Sequence, residues 1–178
     1  MAAQPAASDE ALVRQFKDGD SGAFTELYRR YLAPIYRRVR FVVPEADVED
    51  VTQEVFLAAL KSLPSFRGEA RFGTWLRTLT NNKVAEYYRK HSRKQDAPEV
   101  PLTETLADAE PHPRLMEDRI ALRRALRQVP SQYREIILLR FAEGLQFNEI
   151  AELTGQSLEA TKSMFRRAIS ALRDSVKA

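Results

Sequence analysis

The chain has 178 residues, 44% of them hydrophobic and 30% charged, which is enough for one or two small cores and too little for a large barrel. It carries no cysteine and only two histidines, His91 and His112, so a disulfide scaffold, a thiolate metal site and a cysteine nucleophile are excluded, and a histidine metal site has almost no material. The formal charge of +3 conceals a segregation: residues 96–113 carry Asp96, Glu99, Glu104, Asp108 and Glu110 with no Lys or Arg, and both flanking bodies are basic.

In chain order, Ser8 or Asp9 can cap a first helix that stops at Gly19, and Asp20 or Ser21 can start a second running to Val43, with Pro34 as a kink. A third helix is expected over residues 45–61, ahead of Pro64. At 100° per residue Val48, Val51, Val55, Ala58 and Ala59 gather on one arc that can face a core. Asp47, Asp50, Gln53 and Glu54 fall on another arc with Leu57 among them, an exposed leucine in an acidic patch that suits a docking surface as well as a solvated face.

After a loop at residues 65–71, a fourth helix is expected over 72–94. Residues 61–94 hold nine basic groups against Glu69 and Glu86, interleaved with Phe66, Phe72, Trp75, Tyr87 and Tyr88. Basic groups can track a phosphate backbone while aromatic faces stack unpaired bases, as single-strand binding requires. Phe72, Leu76, Leu79 and Tyr87 cluster as the core face of this helix, and Thr78, Asn82 and Arg89 point elsewhere.

Four of the nine prolines, Pro98, Pro101, Pro111 and Pro113, fall in the acidic stretch, where they remove backbone donors and disfavour helix. It reads as an extended linker, either a passive tether or a negatively charged strap suited to basic protein surfaces. Beyond it, helices are expected over residues 113–128, 130–143, 147–154 and 158–176. The last two have the form of a helix-turn-helix, with a turn at Gly155 and a cap at Ser157. Leu158, Phe165, Ile169 and Leu172 share one face of the final helix. Lys162, Ser163, Arg166, Arg167, Ser170 and Arg173 occupy the other with Glu159, an arrangement that can lie in a major groove.

The expected fold class is therefore all-α: two small helical domains, residues 1–95 and 114–178, joined by an extended acidic linker at 96–113. No apolar run approaches the ~20 residues of a membrane span and the start lacks a signal-peptide pattern, so a cytoplasmic protein with no membrane insertion is expected. No catalytic residue, metal site or cofactor is expected, because no phosphate loop, metal cluster or nucleophile with its base is present in the sequence.

Asp47-Val-Glu-Asp-Val-Thr-Gln-Glu-Val-Phe56, then Phe72-Gly-Thr-Trp-Leu-Arg-Thr-Leu-Thr-Asn-Asn82 and the basic run to Lys94, resemble the second conserved region of bacterial extracytoplasmic-function sigma factors. Residues 126–173, with Asn148-Glu-Ile-Ala-Glu-Leu-Thr-Gly155 and Lys162-Ser163, resemble the fourth. The resemblance implies a factor that binds core RNA polymerase through its large-subunit clamp and flap, selects promoter DNA, helps open it, and answers to an anti-sigma factor. It implies core docking by Asp47, Asp50, Gln53, Glu54 and Leu57. It implies minus-ten contacts by Phe66, Arg67 and Arg71 of the loop and by Asn82, Lys83, Tyr87, Tyr88, Arg89 and Lys90 of the fourth helix. Minus-thirty-five contacts fall to Ser157, Glu159, Lys162, Ser163, Arg166 and Arg167.

Several positions depart from that pattern. Asn81 stands where arginine is frequent, Lys83 and Ala85 where larger apolar residues are usual, and Glu86 where aspartate is usual. Met164 and Ile169 replace arginines, and Gln146 replaces a serine cap, a change expected to cost about 1 kcal/mol. The competing reading is a stand-alone helix-turn-helix regulator that needs no polymerase docking.

Overall fold

The computed structural model describes residues 7–95 and 113–177, and every regular element among them is helical. The chain divides into two compact units, with the division between Tyr87 and Tyr88. The acidic stretch expected as a linker lies outside the described residues except for Pro113, which opens a helix.

In the first unit, α1 (Asp9–Lys17) starts on Ser8, whose hydroxyl accepts the Ala11 N–H at 3.2 Å. α2 (Ser21–Val42) starts on Asp20, whose carboxylate accepts the Gly22 N–H at 2.8 Å. α2 continues unbroken through Pro34. Asp9 binds α1 to α2: its carboxylate meets the Arg30 guanidinium at 3.0 Å and accepts the Tyr31 hydroxyl. Burial, reinforced by Asp9, pushes the Tyr31 phenol above its ordinary value.

A 3-10 turn (Glu45–Asp47) leads into α3 (Val48–Ser62), and a second (Leu63–Ser65) follows it. The helix expected from residue 45 is thus regular only from Val48, because the chain enters on a tight turn after Pro44. Val48, Val51, Val55 and Ala59 are buried as their spacing requires, and Thr52 and Phe56 widen that face. Ala58, expected on the same arc, is only half-buried.

α4 (Phe72–Gln95) begins where the Trp75 N–H reaches the Arg71 carbonyl at 3.1 Å. A Cβ on Gly73 would lie 2.8 Å from the Tyr31 hydroxyl, so the glycine between Phe72 and Thr74 is what lets α4 close on α2. Phe72 and Leu76 are buried, whereas Leu79 and Tyr87, expected on the core face, are half-buried.

The second unit takes in the end of α4 from Tyr88 and comprises α5 (Pro113–Gln128), α6 (Ser131–Ile137), α7 (Phe147–Thr154) and α8 (Leu158–Lys177). Pro130 caps α6 instead of opening it. The helix expected over 130–143 ends as a π-helical turn (Leu138–Ala142), closed by the Glu143 N–H on the Leu138 carbonyl at 3.0 Å. Its core holds Leu126, Ile136, Ile137, Leu138, Leu139 and Ile150. Arg134 closes the end of α5 by donating to the carbonyls of Leu126 at 2.7 Å, Arg127 at 2.9 Å and Val129 at 3.1 Å. These are orphan acceptors at a helix C-terminus, where a cation is favoured.

Candidate nucleic-acid and docking interfaces

Because one arc of α3 is committed to the core, its other arc stands in solvent. Asp50, Gln53 and Glu54 are exposed, and Leu57 among them is 55% exposed. Leu60, one turn further on, is exposed too and extends the apolar strip; its spacing of three residues from Leu57 is the sequence signal for it. Asp47 does not join this surface in the same way. It is half-buried, and its carboxylate accepts the Tyr87 hydroxyl at 2.7 Å.

The loop before α4 is anchored at its first residue. The Phe66 ring packs on Trp75 at 4.9 Å between centroids and meets Phe72 edge-on at 6.4 Å, while its carbonyl accepts the Lys17 ammonium. Phe66 is therefore half-buried in an aromatic cluster. Arg67 and Arg71 stand outside it, and the Arg67 side chain is 83% exposed with Glu69 only loosely near at 3.9 Å. An exposed pair of that kind contributes little to stability and leaves the guanidinium available to an incoming phosphate.

On α4, Asn82, Arg89 and Lys90 are exposed, Tyr88 is half-buried, and Lys83 is paired with Glu86 at 2.9 Å. That pair accounts for the two departures at once, since lysine and glutamate three residues apart on a helix support each other. Asn81 has a partner as well, on α2. Its side-chain oxygen accepts the Arg38 guanidinium at 3.0 Å, and Arg38 is 1% exposed. Asn81→Arg, which restores the family's frequent residue, would remove that acceptor and add a like charge. It is expected to lower the stability of the first unit by about 1 to 3 kcal/mol, read as a lower midpoint in urea with unchanged slope.

The helix-turn-helix is built from its caps. The Gln146 N–H donates to the Glu149 carboxylate at 2.6 Å, so the carboxylate three residues on satisfies the start of α7. The weak cap expected from glutamine is thereby offset. Gly155 ends α7 at φ 67°, a left-handed turn that disfavours a residue with a Cβ. Ser157 then caps α8: its exposed hydroxyl accepts the Ala160 N–H at 3.2 Å and keeps its own proton to donate.

Along α8 the buried positions are Thr161 and Ala168, with Phe165, Ile169 and Leu172 half-buried beside them. Phe165 meets Phe147 at 5.1 Å and Phe141 at 5.7 Å. Leu158, expected on the same apolar side, is exposed, because the inward contact of that first turn falls to Thr161. On the outer side Glu159 and Lys162 pair at 3.1 Å, Ser163 is half-buried, and Arg166 and Arg167 are exposed. A rigid helix that presents two arginines one after the other, over a buried opposite face, can deliver them to base edges or phosphates.

Among the described residues no group of His, Cys, Asp and Glu could hold a metal ion, and no helix is long and apolar enough to cross a membrane.

Two family models match the chain in order: Sigma-70 region 2 over residues 27–94 and Sigma-70 region 4 over residues 119–172. The ECF RNA polymerase sigma-E factor of Escherichia coli is 31% identical over 181 residues, covering 96% of this chain and 95% of the relative. The ECF RNA polymerase sigma factor BldN of Streptomyces coelicolor is 33% identical over 183 residues, covering 95% of this chain and 68% of the relative. The solved structure of CnrH in complex with the cytosolic domain of CnrY matches with a TM-score of 0.61 and 25% identity, covering 96% of this chain and 98% of that one.

Proposed function

The chain belongs to the extracytoplasmic-function sigma factors, and we propose that its two units divide the work of promoter selection at the residues identified above. The protein is a non-enzymatic initiation factor that directs core RNA polymerase to promoters. In this reading residues 1–95 dock on the large-subunit clamp and handle the minus-ten element. Residues 114–178 bind the flap and the minus-thirty-five element, with 96–113 joining the two. The observation that carries the docking assignment is the split character of α3, with a valine-rich arc buried and Gln53, Glu54 and Leu57 exposed on the other.

Docking would be led by Asp50, Gln53, Glu54 and Leu57. Opened bases would meet the loop arginines Arg67 and Arg71 and the exposed Asn82, Arg89 and Lys90 of α4. Phe66 would support them from the aromatic cluster. A base leaving the stack costs a few kcal/mol, and a basic groove beside a fixed loop returns part of that through contacts available only to the open strand. Arg166 and Arg167 would read the upstream element, with the Glu159–Lys162 pair beside them. The site of action is the cytoplasm, with the polymerase. An anti-sigma factor is included as a partner because CnrH, a neighbour in fold, was solved with a partner protein's cytosolic domain.

Co-purification with core polymerase tests the reading against a stand-alone regulator, which would bind DNA and leave core enzyme behind. Within the first unit, Asn82→Ala is expected to slow open-complex formation while leaving closed-complex affinity nearly unchanged, because unpaired bases appear only after melting. On a template with a pre-opened bubble the rate defect should largely vanish, leaving a loss of discrimination between minus-ten strands; full persistence of the rate defect there would assign Asn82 to folding or docking.

A further inference from the structure

The half of α4 that carries the exposed basic residues is poorly buried. Thr80 is the last fully buried side chain among the described residues of α4, and from Asn81 to His91 every side chain is half-buried or exposed. Among the polar ties that the structure places there, two are long-range hydrogen bonds within the first unit. Asn81 accepts the Arg38 guanidinium of α2 at 3.0 Å, and Tyr87 donates its hydroxyl to Asp47 at the entry of α3 at 2.7 Å. The two are six residues apart, so they grip α4 on either side of Asn82 and one turn before Lys90. A helix end held by few apolar contacts takes its direction from such ties, since local opening is cheapest where burial is least.

We propose that Asp47 is a positioning residue for promoter opening, acting through Tyr87 to fix the direction of the distal half of α4, and is not part of the polymerase-docking surface. This rests on the minus-ten reading of α4 given above. The geometry separates Asp47 from its neighbours on α3: Asp50, Gln53 and Glu54 are exposed, whereas Asp47 is half-buried with an oxygen already taken by a tyrosine forty residues away. Tyr87 in turn uses its polar tip to hold the helix, and does not leave it free to reach a base. Asn82, Arg89 and Lys90 remain the groups that touch DNA, and the clasp sets where they stand.

The test is a double-mutant cycle in reconstituted holoenzyme with Asp47→Ala, Tyr87→Phe and the double variant, beside Asp47→Asn, which keeps an oxygen acceptor. Three quantities are read: affinity for core polymerase, the rate of opening on duplex promoter, and discrimination between a preferred and an altered minus-ten strand on bubble templates. A residue serving only stability would move the melting midpoint without changing discrimination among folded molecules. Asp47→Ala and Tyr87→Phe are each expected to reduce opening and discrimination by about tenfold, as loss of a hydrogen bond to a charged acceptor implies. The double variant should be no worse than either single one, Asp47→Asn should recover most of the loss, and core affinity should stay unchanged. Weakened core binding by Asp47→Ala with intact discrimination, or additive losses in the double variant, would overturn the proposal. Asn82→Ala serves as the reference on the same templates. If it alters discrimination and Asp47→Ala does not, the clasp is refuted; if neither does, the minus-ten reading falls and the proposal with it.

Discussion

Combining Gln53→Ala with Glu54→Lys is expected to abolish binding to core RNA polymerase while leaving helix content and melting midpoint close to those of the parent chain. Both side chains lie on the solvent arc of α3, so neither change disturbs the buried valines at 48, 51 and 55. The first change removes an amide that can donate and accept. The second reverses a charge beside an exposed leucine, which places repulsion or an unpaired group at the centre of the proposed contact. Losing one partner of a desolvated polar contact costs about 2 to 5 kcal/mol, and two such losses side by side take a nanomolar complex beyond ordinary assay concentrations. A binding titration with labelled core enzyme checks this; unchanged affinity would remove α3 from the docking surface.

The second large effect is expected at the recognition helix. Arg166→Ala should weaken binding of the upstream promoter element by about 1 to 3 kcal/mol and relax selectivity at one base position if the guanidinium reads a base edge. If it touches phosphate instead, affinity falls uniformly across sequences and the slope of log affinity against log salt shrinks by about one unit. The helix should survive the change, because Arg166 is exposed and the packing of α8 rests on Thr161, Phe165 and Ala168. Measurements at two salt concentrations on an upstream-element library distinguish the two outcomes, and no change in either quantity would place Arg166 outside the interface.

Much of this architecture is legible in the sequence because it follows from period and punctuation. The valine spacing of α3 predicts its buried arc, and Gly155 and Ser157 mark the turn and cap of the helix-turn-helix. What periodicity misses are polar side chains that satisfy themselves locally. Thr80 and Thr161 are buried because each hydroxyl donates to the carbonyl four residues earlier, at 2.8 and 3.0 Å, so a residue that reads as polar costs little inside. Arg38 is hidden by a partner forty-three positions away, and the Tyr87–Asp47 contact joins two residues that sequence reasoning assigned to different surfaces. Arg134 is read as one more basic residue until the orphan carbonyls of α5 are seen around it. Long-range side-chain partners leave no spacing signal in a single sequence, and these are the places where the candidate sites needed the structure.

Some departures from the family's usual residues are complemented within their own unit: Asn81 is matched to Arg38, Lys83 to Glu86 and Gln146 to Glu149. None of those three pairs involves Gln53, Glu54, Arg166 or Arg167, the groups on which docking and upstream recognition are proposed to depend.

Run-off transcription with purified core RNA polymerase, this chain and a library of promoter sequences tests the central claim most directly. The expected result is full-length transcript only when chain and core enzyme are both present, drawn from a subset of the library that shares an upstream and a downstream element. Those transcripts should disappear with the Gln53→Ala, Glu54→Lys variant, and their upstream preference should shift with Arg166→Ala. Sequence-selective binding of the chain to library DNA, with core polymerase neither recruited nor made promoter-dependent, would contradict it.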